Sequence, residues 1–177
     1  VVKPYFALER VVDAAFDCAQ RLFGLRFVAR PEIVAYHPDV NVYEVHGRDD
    51  RLVGIFLHDN FARPTKRGGA WMSAYRLQSR IAGDVLPIIV NNNNFAKGAP
   101  GEPTLLSLDD ALTLFHEFGH GLHGLLSQVT FESLSGTQVL RDFVELPSQI
   151  FENWLLEPQV LKRHARHVET GEPMPDD

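Results

Sequence analysis

The residues with the clearest chemistry in this chain are His116, Glu117 and His120, spaced His-Glu-x-x-His. On a helix, positions four apart share a face, so both imidazoles can reach one metal ion while Glu117 sits one step round beside it. Zinc suits such a pair. It takes neutral imidazole nitrogens at about 2.0–2.1 Å, keeps one position for water and lowers the pKa of that water to about 7, where a neighbouring carboxylate can remove its proton. Five residues make a short motif, so the segments around it decide what it means.

Those segments predict a helix. Ser107 is placed to cap it, Asp109 and Asp110 fall in the first turn where the helix dipole favours them, and Leu108, Ala111, Leu112, Phe115, Phe118, Leu122 and Leu125 recur at helical spacing. Gly119 and Gly121 flank His120, each costing about 1 kcal/mol against alanine in a helix, which points to a close approach of another backbone. The plainer reading is loose packing against a neighbouring helix.

A catalytic zinc usually takes three protein ligands and a water, and the motif supplies two. His123 lies on the same face, but nearly two turns from His116, about 10 Å along the axis, so it is expected beside the site as lining or as a partner of a ligand. The extended motif with Gly at 123 and His at 126 is excluded, because this chain has His123 and Leu126. Glu132, Glu145 and Glu152 remain as carboxylate candidates. Glu132 precedes Ser133-Leu134-Ser135-Gly136 and reads as loop. Glu145 and Glu152 are seven apart on the apolar-periodic stretch 139–156 and share one face, and Pro147 would kink that helix or restart it just after Glu145. A solvated helix face is the competing reading for either.

At this point a longer pattern is visible: His116 to His123, Ser135-Gly136-Thr137, Arg141-Asp142-Phe143-Val144-Glu145-Leu146-Pro147-Ser148-Gln149 and Glu152-Asn153-Trp154, with Gly69-Ala70-Trp71-Met72-Ser73, Asn94-Phe95 and Pro100-Gly101 upstream. Together these resemble the thimet oligopeptidase and peptidyl-dipeptidase Dcp family of zinc metallopeptidases, the Dcp branch more closely, over nearly the whole chain. The resemblance implies a zincin-like fold and one Zn2+ per chain held by His116, His120 and Glu145, with Glu117 as the base and short peptides as substrates. It implies that the edge Gly68 to Ser73, with Gly69, Ala70 and Trp71 foremost, takes a peptide as an added strand. Ligand imidazoles are commonly oriented by nearby carboxylates, and Asp142, Glu152 and Asp110 are the candidates. Family members are several times longer, with a helical body over the site and a downstream His-, Gly- and Tyr-rich segment that stabilises the oxyanion. Residues 1–177 are therefore expected to be part of a catalytic domain, with the rest of the same polypeptide outside them. The alternative is a truncated zinc-binding or interaction piece without catalytic competence.

The histidine helix needs a scaffold, and the rest of the chain supplies one of α+β class. Tyr5 to Phe23 reads as an amphipathic helix. Val40 to Val45 alternates, Leu52 to Leu57 is apolar, and Gly47-Arg48-Asp49-Asp50 between them carries turn residues, so the pair reads as a hairpin. Ala70 to Tyr75 and Val85 to Val90 add two strands. The expected arrangement is a small, mostly antiparallel sheet at about 36–92 packed with ligand-bearing helices at about 107–157. Asn91 to Asn94 reads as a turn, and Arg63, Lys66 and Arg67 before Gly68-Gly69 as a solvated loop. His37, His46 and His58 read as scattered surface or core residues, and His164 and His167 as the solvated end of a helix.

Composition bounds the partners. A chain of 177 residues with 45% hydrophobic content can bury one core, and it has no apolar run long enough to span a membrane. A net charge of -6 without a Lys/Arg cluster argues against a nucleic-acid partner. The single Cys18 falls at an apolar helical position and is expected as a buried free thiol, and no basic-then-apolar leader follows Val1. Both features point to a cytoplasmic protein.

Overall fold

In the computed structural model, which describes residues 2–175, the N-terminal helix runs Leu8–Phe23 (α1) behind a single 3-10 turn at Lys3–Tyr5. Val11, Val12, Ala15, Cys18 and Ala19 form its buried stripe. Gly24 ends it at φ 73°, a left-handed conformation that a side chain would strain and against which Arg48 packs. Burial pushes the Cys18 thiol up to about 11, as suits a packing residue.

Five strands follow: Arg26–Ala29 (β1), Val40–His46 (β2), Leu52–Phe61 (β3), Trp71–Arg76 (β4) and Ile88–Phe95 (β5). They lie in the order β1-β2-β3-β5-β4. Three pairings are antiparallel and β3 with β5 is parallel, so the sheet is mixed, with β4 on an edge. The β2–β3 hairpin forms where alternation and turn residues put it, closed by Gly47 N–H donating to the Arg51 carbonyl at 2.9 Å. β1 is an addition to the expected set, being too short to show a period.

β5 corrects the reading of the four asparagines. The strand runs on through Asn91 to Asn94, with Asn91 and Asn93 fully buried. Asparagine favours turns because its amide competes locally for backbone groups; here distant groups take up the amide N–H donors of Asn93 and Asn94, while the buried Asn91 amide has no hydrogen-bond partner. Asn93 Nδ2 donates to Asn60 Oδ1 at 2.9 Å, and Asn94 Nδ2 donates to the Arg67 and Gly69 carbonyls at 2.8 and 2.6 Å. The connection 62–70 also differs from expectation. β3 and β4 flank β5, so this segment must cross the end of β5, and the Lys66 side chain within it is only 4% exposed.

Leu108–Leu125 (α2), Leu146–Leu155 (α3) and Pro158–His164 (α4) complete the described elements. Phe118 on α2 sits at the centre of the core, with the rings of Phe16, Phe27, Phe56 and Phe151 at 5.4–5.6 Å from its own. Such pairs add about 0.5–1.5 kcal/mol each beyond the area they bury. A smaller cluster of Val40, Val42, Leu57 and Val90 forms a second apolar nucleus. His164 is not the solvated end expected of it: its Nε2 lies 3.1 Å from Asp17 Oδ2, tying α4 to α1. Among the described residues, no helix is long and apolar enough to cross a membrane.

Candidate metal centre

α2 starts where its sequence says it should. Ser107 Oγ accepts from the Asp110 N–H at 3.0 Å, and Asp110 Oδ2 accepts from the Ser107 N–H at 2.9 Å, a reciprocal cap that fixes the first turn. Asp110 is therefore spent on the cap and orients no imidazole. Downstream, the glycines are sites of close approach. A Cβ on Gly119 would lie 2.6 Å from Ser148 Cα, and one on Gly121 would lie 3.0 Å from Asn91 Oδ1. α3 thus presses its backbone onto α2 beside the histidines, and β5 presses from the other side.

Pro147 restarts a helix rather than kinking one. α3 begins at Leu146, with Glu145 at its N-cap and the proline in its first turn, where a missing N–H costs nothing. Ser148, the residue that meets Gly119, donates from Oγ to the Glu145 carbonyl at 2.8 Å and to Glu145 Oε2 at 3.0 Å. The same contact that sets the spacing of the two helices therefore holds the carboxylate. Ser148 was not anticipated; the signal was its place three residues after Glu145 on the same helix.

The result is a convergence of donors. His116 Nε2 and His120 Nε2 lie 3.1 and 3.0 Å from the same oxygen, Glu145 Oε2, and one ligand atom from each residue lies within 4.8 Å of the others. Ligands at about 2.0–2.1 Å from a tetrahedral zinc stand about 3.3 Å apart, a few tenths above this spacing. On its far side, His116 Nδ1 is 2.6 Å from Glu152 Oε1. A carboxylate only accepts, which assigns the ring proton to Nδ1. His116 Nε2 is thereby the nitrogen turned toward Glu145 Oε2 and His120 Nε2, the three atoms that could share one metal ion. The donor set fits zinc.

Charge states agree. Burial draws His120 below the usual histidine range, which keeps it in the neutral form that ligates. For Glu145, burial works against ionisation, but the Ser148 hydrogen bond and the positive charge that the two imidazoles carry when protonated outweigh it and hold the carboxyl below its ordinary value. Burial pushes Glu117 up to about 7, opposed by His116 and assisted by Glu145, and its Oε2 is buried without a hydrogen-bond partner. A carboxylate that can exchange a proton near neutrality beside a metal cluster is equipped for acid–base work.

Other expected residues divide. Ala70, Trp71 and Met72 face His116, Glu117 and His120 across a cavity of about 390 Å3, so the β4 edge does border the cluster. Gly69 lies just outside it, its carbonyl taken by Asn94. His123 lines a separate apolar cavity of about 470 Å3 between α1, α2 and α3, with its ring edge-on to Phe143. Asp142 is exposed in the turn before α3, and Glu132 sits in a 3-10 turn at Glu132–Leu134 away from the cluster.

All of the chain, residues 1–177, matches the family model for peptidase family M3. The chain belongs to that family. It is 49% identical to the dipeptidyl carboxypeptidases of Salmonella typhimurium and Escherichia coli, over 99% of this chain and 26% of each relative. Oligopeptidase A of Escherichia coli is 41% identical over 98% of this chain and 26% of its own length. The resemblance drawn from the motif segments holds, with the dipeptidyl carboxypeptidases the more similar of these M3 relatives. The chain spans roughly a quarter of the length of the curated relatives it matches.

Proposed function

We propose that these residues form the zinc centre of a zincin-like M3 peptidase that hydrolyses peptide bonds in short peptides, within a longer polypeptide. The observation that carries this reading is the convergence of His116 Nε2 and His120 Nε2 on Glu145 Oε2 at 3.1 and 3.0 Å, with Glu117 beside it. His116, His120 and Glu145 are the ligands, and Glu152 fixes the His116 ring and its tautomer. Zinc bound there supplies Lewis acidity to the scissile carbonyl and the attacking water. Glu117 takes the water's proton during attack and returns it to the leaving amine, one carboxyl serving as base and then as acid. The free edge of β4 at Ala70 and Trp71 receives the peptide main chain, as an added strand does. The buried, unpaired Cys18 needs no oxidising compartment, which supports a cytoplasmic location.

A second reading concerns residues 1–177 in isolation. Among the described residues, no lysine, arginine or tyrosine lines the cavity opposite the ligands, and in this reading a group that stabilises the oxyanion comes from elsewhere in the polypeptide. The isolated chain then binds zinc and cleaves little. Both readings are tested by assaying short peptides with full-length enzyme and with 1–177, each as wild type and as Glu117→Gln. We expect full-length Glu117→Gln to keep its zinc and lose about 10²- to 10⁴-fold in cleavage rate. Undiminished cleavage removes Glu117 as the base, and equal activity of the two wild-type lengths removes the second reading.

A further inference from the structure

The cations of the 62–70 connection have no part in the metal cluster, yet they are built into the protein. Asp59, near the end of β3, is fully buried. Arg63 grips it with a two-pronged fork, Nη1 to Oδ1 and Nη2 to Oδ2, both at 2.7 Å, and Tyr36 Oη donates to Oδ2 at 2.9 Å. Lys66 Nζ sits among four oxygens: Asp59 Oδ1 and the Asp59 carbonyl at 3.1 Å, the Phe61 carbonyl at 2.9 Å, and the Asn93 carbonyl. The connection is thus strapped over the end of β5, with Asn94 holding the Arg67 and Gly69 carbonyls beyond it. Arg67 then lies over the Trp71 ring at 4.5 Å. From this strap the chain emerges directly into Ala70, Trp71 and Met72, the wall that faces His116, Glu117 and His120.

We propose that Asp59, Lys66 and Arg63 are positioning residues for substrate: as a buried ionic clasp they hold the strap, and through it the β4 edge at 69–71, in the geometry that receives a peptide main chain. This rests on reading the site as that of a peptidase. Exposed ion pairs make poor anchors, but a buried, forked pair tolerates only one arrangement of its partners. An edge held before the peptide arrives spares the ordering cost of binding, so the clasp acts on substrate affinity. None of its three residues lines the cavity or touches a ligand side chain, so zinc binding does not depend on it.

The test is Lys66→Met in the full-length enzyme, which removes the ammonium and leaves Asp59 paired with Arg63 and Tyr36. Zinc content, kcat and KM for a short peptide, and amide hydrogen exchange over 68–73 without substrate are measured. We expect wild-type zinc, a KM raised about tenfold with kcat within about threefold, and faster exchange in 68–73. Unchanged exchange and KM, or a fall in kcat and zinc at constant KM, overturns the proposal. Where Lys66→Met does not fold, Arg63→Lys keeps a cation on Asp59 but breaks the fork, and a KM rise of about threefold with faster exchange is expected. Unchanged values there overturn the proposal equally. Exchange is read without substrate, so faster exchange in an enzyme whose wild type cleaves no peptide counts against the peptidase reading and not against the clasp.

Discussion

The two sides of the site treat charge in opposite ways. On the helix wall, the Nε2 atoms of His116 and His120 both lie within 3.1 Å of one carboxylate oxygen, Glu145 Oε2. On the sheet side, behind the wall that lines the cavity, buried Asp59 meets a guanidinium, an ammonium and a phenol, so its lone pairs are answered within the chain. A buried charge that the protein satisfies itself is part of the scaffold, and a cluster of acceptors left facing one another is a place for a ligand.

That contrast can be broken by the same chemical change on each side. Asp59→Asn weakens the bonds to Arg63 and Lys66 and leaves buried cations short of an anion, so thermal or denaturant unfolding should show a loss of about 3–5 kcal/mol. Glu117→Gln changes a carboxyl that has no cationic partner, and its stability should stay within about 1 kcal/mol of wild type. Equal losses would erase the distinction between the walls.

The sheet wall also carries a pH signature. His58 is fully buried, neither ring nitrogen has a hydrogen-bond partner, and burial pushes its pKa down to about 4, with Asp59 opposing and Lys66 assisting. As pH falls below about 6.5, the unfolded chain takes up a proton that the folded protein refuses until about pH 4. Stability is therefore highest above this window and declines through it by roughly 3 kcal/mol. Chemical denaturation of wild type and His58→Leu across pH 4–7 checks the sign, since the variant should lose that part of the slope. An identical slope would place the titration elsewhere.

On the helix wall, Glu152→Ala frees the His116 ring to rotate and change tautomer. Zinc affinity measured by competition with a chelator should weaken about 10- to 100-fold, with the fold retained. Affinity equal to wild type would reduce Glu152 to a solvated carboxylate. A change of similar size concerns the helix contact itself. Gly119→Ala forces α3 away from α2 at Ser148, where there is no flexible side chain to yield, and should cost about 1–3 kcal/mol in thermal unfolding. Gly68→Ala, with nothing within 4 Å of the added carbon, should be near neutral.

The same division governs what could be read from the chain. The helix wall is written in local signals: a four-residue histidine spacing, Ser107 as a cap, Pro147 as the start of a helix. Even there, spacing left Glu145 and Glu152 unranked, because choosing between them takes the Gly119–Ser148 contact, which joins two helices. On the sheet wall the signals point the wrong way. Asn91 to Asn94 and Arg63 to Arg67 have the local propensities of turn and solvated loop. Arg63 and Lys66 do meet Asp59 within seven residues, but Lys66 also reaches the Asn93 carbonyl, and Asn94 the Arg67 carbonyl, across 27 residues. Those distant contacts bury the connection and extend β5, and no short window of sequence contains them.

The proposed site rests on three side chains, His116, His120 and Glu145, placed to hold one divalent ion. The direct measurement is metal analysis of the full-length protein, wild type beside Glu145→Ala, after dialysis against a weak chelator. About one zinc per chain in wild type and little in the variant is the predicted result. A metal-free wild type that is folded, or a Glu145→Ala protein that retains its zinc in full, would contradict it.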